Sequence, residues 1–237
     1  MNNLIKGSGA WCCSLLLLTL TACGGDTKTA APLPTPTPTP ITYQYEVEVL
    51  NLSYSQPISP IAAVLQPTGV LWTLGQPASV ALERLAEGGN NSDILASAGV
   101  SAKASVSGEL HPGASAKLSL ESTAAVNFLS VIGMPVNTND AFTGLTGLDL
   151  RTIAVNSART FDVPAYDAGT EGNTESAATV PGPAAGGEGF NSQRDDVNQV
   201  RMHSGVVSGQ DGLSSSVLTE AHRFDNPILR IRVSRTK

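Results

Sequence analysis

From Tyr43 to Val49 the chain alternates apolar and polar side chains, as Tyr-Gln-Tyr-Glu-Val-Glu-Val. That period of two marks a strand with one buried face. Near the other end, Ile228-Leu-Arg-Ile-Arg-Val-Ser234 repeats the pattern, with Leu229, Ile231 and Val233 expected inward and Arg230 and Arg232 outward. Two such strands at opposite ends of a region suggest that they close one unit. Further strands are expected at 69–75, with Val70, Trp72 and Leu74 on one face, and at 103–106, 116–121, 152–156, 160–163 and 200–203. Residues 126–136 are almost continuously apolar, as in a central strand buried on both faces, although length alone leaves a helix open.

The period changes after Ser79. Leu82, Leu85 and Ala86 share a helical face, Ser79 is a natural N-cap, and Gly88 and Gly89 stop the helix. A second helical turn is expected at 93–98. Between Asp167 and Val200 periodicity fades and glycines accumulate, as in a long functional or mobile loop. The expected architecture is an all-β, antiparallel β-sandwich with one or two short helices, spanning 43–237.

The first forty residues read differently. A polar start with Lys6 precedes an apolar run from Ala10 to Leu20. About a dozen apolar residues fall short of the roughly 20 that a membrane-spanning helix needs, and the layout is that of a secretory signal. The run ends Leu20-Thr-Ala-Cys23, which resembles the bacterial lipobox. That resemblance implies a signal peptide over 1–22, a mature chain starting at a lipidated Cys23, and a membrane partner reached through the acyl chains. Gly24, rather than Asp, follows the cysteine, and sorting patterns then favour the outer membrane of a double-membraned bacterium. Pro32, Pro34, Pro36, Pro38 and Pro40 give the linker over 23–42 a polyproline II bias. Nine such residues at ~3.1 Å each make a stalk of roughly 28 Å.

Composition narrows the function classes. Apolar residues make up 41% of 237 residues, enough for a packed core. The net charge of −6 excludes the basic footprint that nucleic-acid binding requires. The three cysteines are Cys12, Cys13 and Cys23, so the folded region has neither disulfide nor thiolate metal site. His111, His203 and His222 are scattered, and no Gly-x-Ser-x-Gly elbow or phosphate-binding glycine loop occurs. A non-catalytic protein is expected. A metal-dependent hydrolase is a weaker alternative, since a cation can activate water, but no matched general base is evident.

Two acidic segments stand out: Asn139-Asp-Ala-Phe-Thr-Gly-Leu-Thr-Gly-Leu-Asp-Leu150 and Pro164-Ala-Tyr-Asp-Ala-Gly-Thr-Glu171. Each sets carboxylates in a glycine-containing loop beside an apolar run. Crowded carboxylates repel one another unless a cation sits among them. Taken alone, acidic loop residues are commonly just solvated surface. An EF-hand reading fails, because Gly169 stands at its third position and Ala178 at its twelfth.

These two motifs, in this order, are similar to the spondin amino-terminal domain, the module of F-spondin and mindin that also occurs in bacterial lipoproteins. The likeness extends through Asn51-Leu, Gly75-Gln-Pro-Ala-Ser79, Pro181-Gly-Pro183 and Gly186-Gly-Glu-Gly-Phe190. It implies calcium ligands at Asp140, Asp167 and Glu171, where animal members carry Asp at the last position. Glu175 and carbonyls near Ala168 are further candidate ligands. It also implies an adhesive or recognition role toward an unidentified extracellular or envelope ligand. A structural envelope protein with a purely stabilising metal is the alternative.

Overall fold

The computed structural model describes residues 40–125 and 127–237. The signal segment, Cys23 and nearly all of the proline linker lie outside the described residues. The terminal strands pair as their alternation demands. β1 (Tyr43–Asn51) runs antiparallel to the C-terminal strand β10 (Leu229–Arg235), with Val47 opposite Val233 and Val49 opposite Ile231. Leu229, Ile231 and Val233 are fully buried, while Arg230 and Arg232 face solvent. β4 (Ser115–Ser122) and β7 (Ser157–Val163) flank this pair, giving a four-stranded sheet in the order β4-β1-β10-β7.

The second sheet has six strands. β2 (Ala62–Gln66), β3 (Ala102–Ser105), β5 (Phe128–Gly133), β6 (Ala141–Asp149), β8 (Ala165–Asp167) and β9 (Arg201–Met202) lie in the order β3-β2-β5-β6-β8-β9, each pair antiparallel. The two sheets make an all-β sandwich. Between them lies one apolar cluster, which includes Val47, Val49, Leu129, Val131, Ile231 and Val233. A second cluster covers the other face of the six-stranded sheet. There Ile132, Val64 and Phe142 meet Leu82, Leu85 and Ala86 of helix α1 (Val80–Gly88), together with Ile94 of the short helix α2 (Ser92–Leu95). A sheet with apolar layers on both faces explains why β5 reads as an unbroken apolar run.

α1 begins and ends where its caps stand. The Ser79 hydroxyl accepts from the Leu82 N–H at 3.2 Å, and Gly89 takes a left-handed conformation at φ +65°. Two expected strands are absent. Residues 69–75 form turns, with Trp72 buried and Val70 and Leu74 exposed. Trp72 packs edge-on against Phe142 at 5.0 Å and lies 5.4 Å from Tyr166, so aromatic packing on the sheet, not strand pairing, buries it. The expected strand over 152–156 is instead the end of a 3-10 turn (Leu150–Thr152), capped by Asp149, whose carboxylate also holds Arg151, followed by a bend and turn that lead into β7. Conversely, most of the expected acidic loop over 139–150 is strand β6. It is bent by a bulge opposite Leu129 and Val131.

Candidate metal centre

Strand pairing brings the two acidic segments together. In the β6–β8 ladder Ala141 faces Asp167 and Phe142 faces Tyr166, whose rings stack at 5.3 Å. One step further, the Ala168 N–H donates to the Asp140 carbonyl at 3.1 Å. Asp140 therefore stands at the strand entrance opposite a tight turn, and that turn wraps its carboxylate. Asp140 Oδ2 accepts from the Thr170 N–H at 2.8 Å, the Glu171 N–H at 3.1 Å and the Thr170 hydroxyl at 3.3 Å. Gly169 makes the turn possible. Its φ is +69°, and its Cα lies so close to the Gln199 backbone that no Cβ fits.

Asp140, Asp167 and Glu171 are all buried, at 0%, 2% and 8% exposure. Asp167 is held by its own donors. Oδ1 accepts from the Gly169 N–H at 2.8 Å, and Oδ2 from Asn173 Nδ2 at 2.8 Å and Arg201 at 3.0 Å. Arg201 also bonds Asp196, clamping the loop return onto β8 and β9. The long segment between β8 and β9 contains no strand or helix, but it is bonded throughout. Asn139 accepts from the Glu175 N–H and donates to Thr179, and Asp195 accepts from the Gly172 N–H.

The electrostatics of this interior are unbalanced. Burial, followed by the charge on Asp167, pushes the Asp140 carboxyl up to about 7, against the opposing Glu171 and Thr170 N–H groups. Burial and then the nearby Glu87 charge push Glu171 up to about 8. Burial alone accounts for Glu175 at about 7. Among the described residues, four buried side-chain polar atoms have no partner: Asp140 Oδ1, Glu87 Oε1, Glu175 Oε2 and His203 Nε2. Three of the four are carboxylate oxygens. A buried carboxylate oxygen without a donor is strongly unfavourable when ionised. The group must take a proton or meet a cation.

Those orphaned oxygens test whether the residues fit a calcium ion. Every available donor in the cluster is a hard oxygen, the cluster carries excess negative charge, and one carboxylate wrapped by the turn presents a bare atom. That chemistry fits an oxygen-seeking divalent ion. Among the described residues no three His, Cys, Asp or Glu side chains are arranged as a ready-made cage. An ion would therefore draw its ligands inward from these positions.

Glu87 was not among the residues singled out in the sequence. It lies one turn after Glu83 on α1, and both are buried, at 1% and 3% exposure, because the loop over 187–199 covers that side of the helix. Like charges at i and i+4 on one helix face, ordinarily an unfavourable pairing, were the available signal. His203 is buried against Phe224, and its Nδ1 accepts from the Gly205 N–H. Burial pushes its pKa down to about 4. No protein-family model and no curated protein matches this chain.

Proposed function

We propose that this protein is a lipid-anchored, extracytoplasmic lipoprotein whose β-sandwich holds a calcium ion at Asp140, Asp167 and Glu171 and serves in non-catalytic recognition or adhesion. The observation that carries the calcium reading is the bare, buried Asp140 Oδ1 beside Asp167 and the Thr170–Glu171 turn. When bound, the ion supplies positive charge to carboxylates that otherwise repel one another. Asp140, immediately before β6, Asp167, the last residue of β8, and Glu171, in the turn after β8, would hold it. The Thr170 and Glu171 N–H groups orient the Asp140 carboxylate, and Arg201, Gly169 and Asn173 orient Asp167. The lipobox at Leu20–Cys23 and the proline linker support the anchor. The likeness to spondin modules supports recognition.

The site's burial favours one alternative on a specific point. Ligands at 8% exposure or less leave little opening for an ion to bridge to an outside molecule. The ion then stabilises loops, and partners are met elsewhere on the surface. The test of the calcium reading is thermal melting of Pro40–Lys237, a compact unit that contains both apolar clusters. A ligand bound only by the native state stabilises by RT ln(1 + [L]/Kd), so the melting point should rise in excess calcium over chelator. Equal melting points in the two would refute it. Retention of the purified unit on immobilised polysaccharide or matrix protein tests recognition, and its failure on every such surface would favour a purely structural envelope role.

A further inference from the structure

The two sheets end in four edge strands, and one of these edges is long, regular and open. β9 is two residues long, and Val200 before it bonds in both directions to Gly75 and Gln76. β3 has four residues and lies against β4, closing one side of the sandwich. β7, on the opposite side, is the outer strand of the four-stranded sheet. It pairs with β10 in unbroken register over seven residues and holds no proline or glycine. It is exposed from Ser157 to Thr160 and again at Asp162. A strand edge of this kind templates another strand unless it is blunted or covered.

The ladder with β10 decides which backbone groups are free. At its two ends the Arg235 carbonyl accepts from the Asn156 N–H at 2.8 Å, and the Val163 carbonyl accepts from the Ile228 N–H at 3.1 Å. Odd-numbered positions of β7 therefore turn their backbone toward β10, and Ala158, Thr160 and Asp162 turn theirs outward. Among the described residues, none of these three has a backbone partner beyond the sheet. Both charges on the strand are drawn onto neighbours in the same chain. The Arg159 guanidinium lies 5.0 Å over the Phe161 ring and bonds the Thr152 hydroxyl, and Arg230 holds Asp162 through two bonds.

This edge is complementary to itself. In an antiparallel pairing about a dyad at Thr160, each outward N–H meets an outward carbonyl. Thr160 then faces Thr160, Ala158 faces Asp162, and Arg159 faces Phe161. The Arg159–Phe161 positions are the closer, non-hydrogen-bonded kind, with Cα atoms roughly 4.5 Å apart, so each guanidinium reaches the ring of the other copy. Moving the dyad to Asp162 sets two carboxylates directly opposite, which is unfavourable. Moving it to Ala158 takes Asp162 out of the ladder.

We propose that β7 is a self-association edge, on which a second copy of this chain pairs antiparallel about Thr160. β1 and β7 run in the same direction, because each is antiparallel to β10. A dyad that reverses β7 also reverses β1, so the linkers entering at Tyr43 leave the joined sheet from opposite ends. On the lipoprotein and adhesion reading above, on which this consequence rests, the paired copies are anchored in two facing membranes.

Sedimentation equilibrium of Pro40–Lys237 in wild type, Ala158→Asp, Ala158→Lys, Thr160→Pro and Ser119→Asp tests the edge. Wild type should form dimers. Ala158→Asp sets a carboxylate against Asp162 at both symmetric positions and should weaken association at least about tenfold. Ala158→Lys faces the same carboxylate and should associate at least as tightly as wild type. Thr160→Pro removes an N–H that the single chain leaves unused and should also weaken association at least about tenfold. Ala158 is exposed, so its variants serve if the proline variant does not fold. Ser119 is exposed on β4, away from this edge, and its variant should match wild type. A wild type still monomeric at about 1 mM would overturn the proposal. So would wild-type association in Ala158→Asp, or an equal loss in Ser119→Asp. Vesicles carrying the acylated chain should aggregate with wild type and not with Ala158→Asp. Dimers in solution without vesicle aggregation would leave the edge standing and remove the facing-membrane arrangement.

Discussion

Without calcium, this domain should lose stability as pH rises from 6.5 to 8. Glu171 provides the magnitude. Its carboxyl has an ordinary value of 4.5 and is pushed up to about 8 in the folded state, first by burial and then by the Glu87 charge. Between those values the folded chain holds a proton that the unfolded chain has released. Stability therefore falls with increasing pH, by about 1.4 kcal/mol per pH unit for one such group. From pH 6.5 to 8, Glu171 alone accounts for a loss of about 2 kcal/mol. Asp140 and Glu175, at about 7, each add roughly half as much, since most of their effect lies at lower pH. His203 acts in the opposite direction. Its folded value of about 4 lies below the ordinary 6.5, so its contribution grows as pH rises toward 6.5 and is constant above that. The window above 6.5 isolates the carboxyls. A loss of 2 kcal/mol lowers the melting point by roughly 4–8 °C in a domain of about 200 residues. Calorimetric melts of Pro40–Lys237 in chelator at pH 6.5, 7, 7.5 and 8 measure it. In excess calcium the ion takes the place of the protons and the decline should vanish. A melting point that is flat or rising across this window in chelator would refute the reasoning, because the buried carboxyls would then be neither protonated nor strained.

Other expectations follow from packing. Gly169 and Gly186 share almost the same backbone angle, φ +69° and +70°, but only Gly169 is crowded by the Gln199 backbone. Alanine at Gly186 should therefore lower stability by roughly 1 kcal/mol, measured by urea unfolding. Alanine at Gly169 should lower it by well over that and abolish the calcium-dependent rise in melting point. Ile231 is fully buried between Val49 and Phe161 in the four-stranded sheet. Ile231→Ala should reduce stability by about 3 kcal/mol through lost burial and a residual cavity, with calcium affinity unchanged.

The terminal strands, the helix and its caps, and the buried central strand could all be read from the sequence, because each is a local signal. Alternation in 43–49 and 228–234 states which side chains go inward, whatever the partner strand. Ser79 and Gly89 satisfy the helix ends within a few residues of chain. The errors occurred where a local pattern had more than one physical solution. Val70, Trp72 and Leu74 alternate as a strand does, but only Trp72 found apolar partners, on Phe142 and Tyr166. The acidic segment after Asn139 looked like a glycine-rich loop, yet its glycines serve a bulge in β6. Gly144, at φ +150°, lies against the Val131 carbonyl, where no side chain has room.

The same division runs through the candidate site. The resemblance to spondin modules marked Asp140, Asp167 and Glu171, since residue types alone read equally well as solvated acidic loops. Which of their oxygens is bare, which is already held by Arg201, and that Glu87 is buried with one oxygen unpartnered, depended on the tertiary fold. Burial and charge pairing are properties of neighbours in space. A linear chain records the identity of each carboxylate, while the surroundings that make it costly to ionise arise only when distant segments close around it.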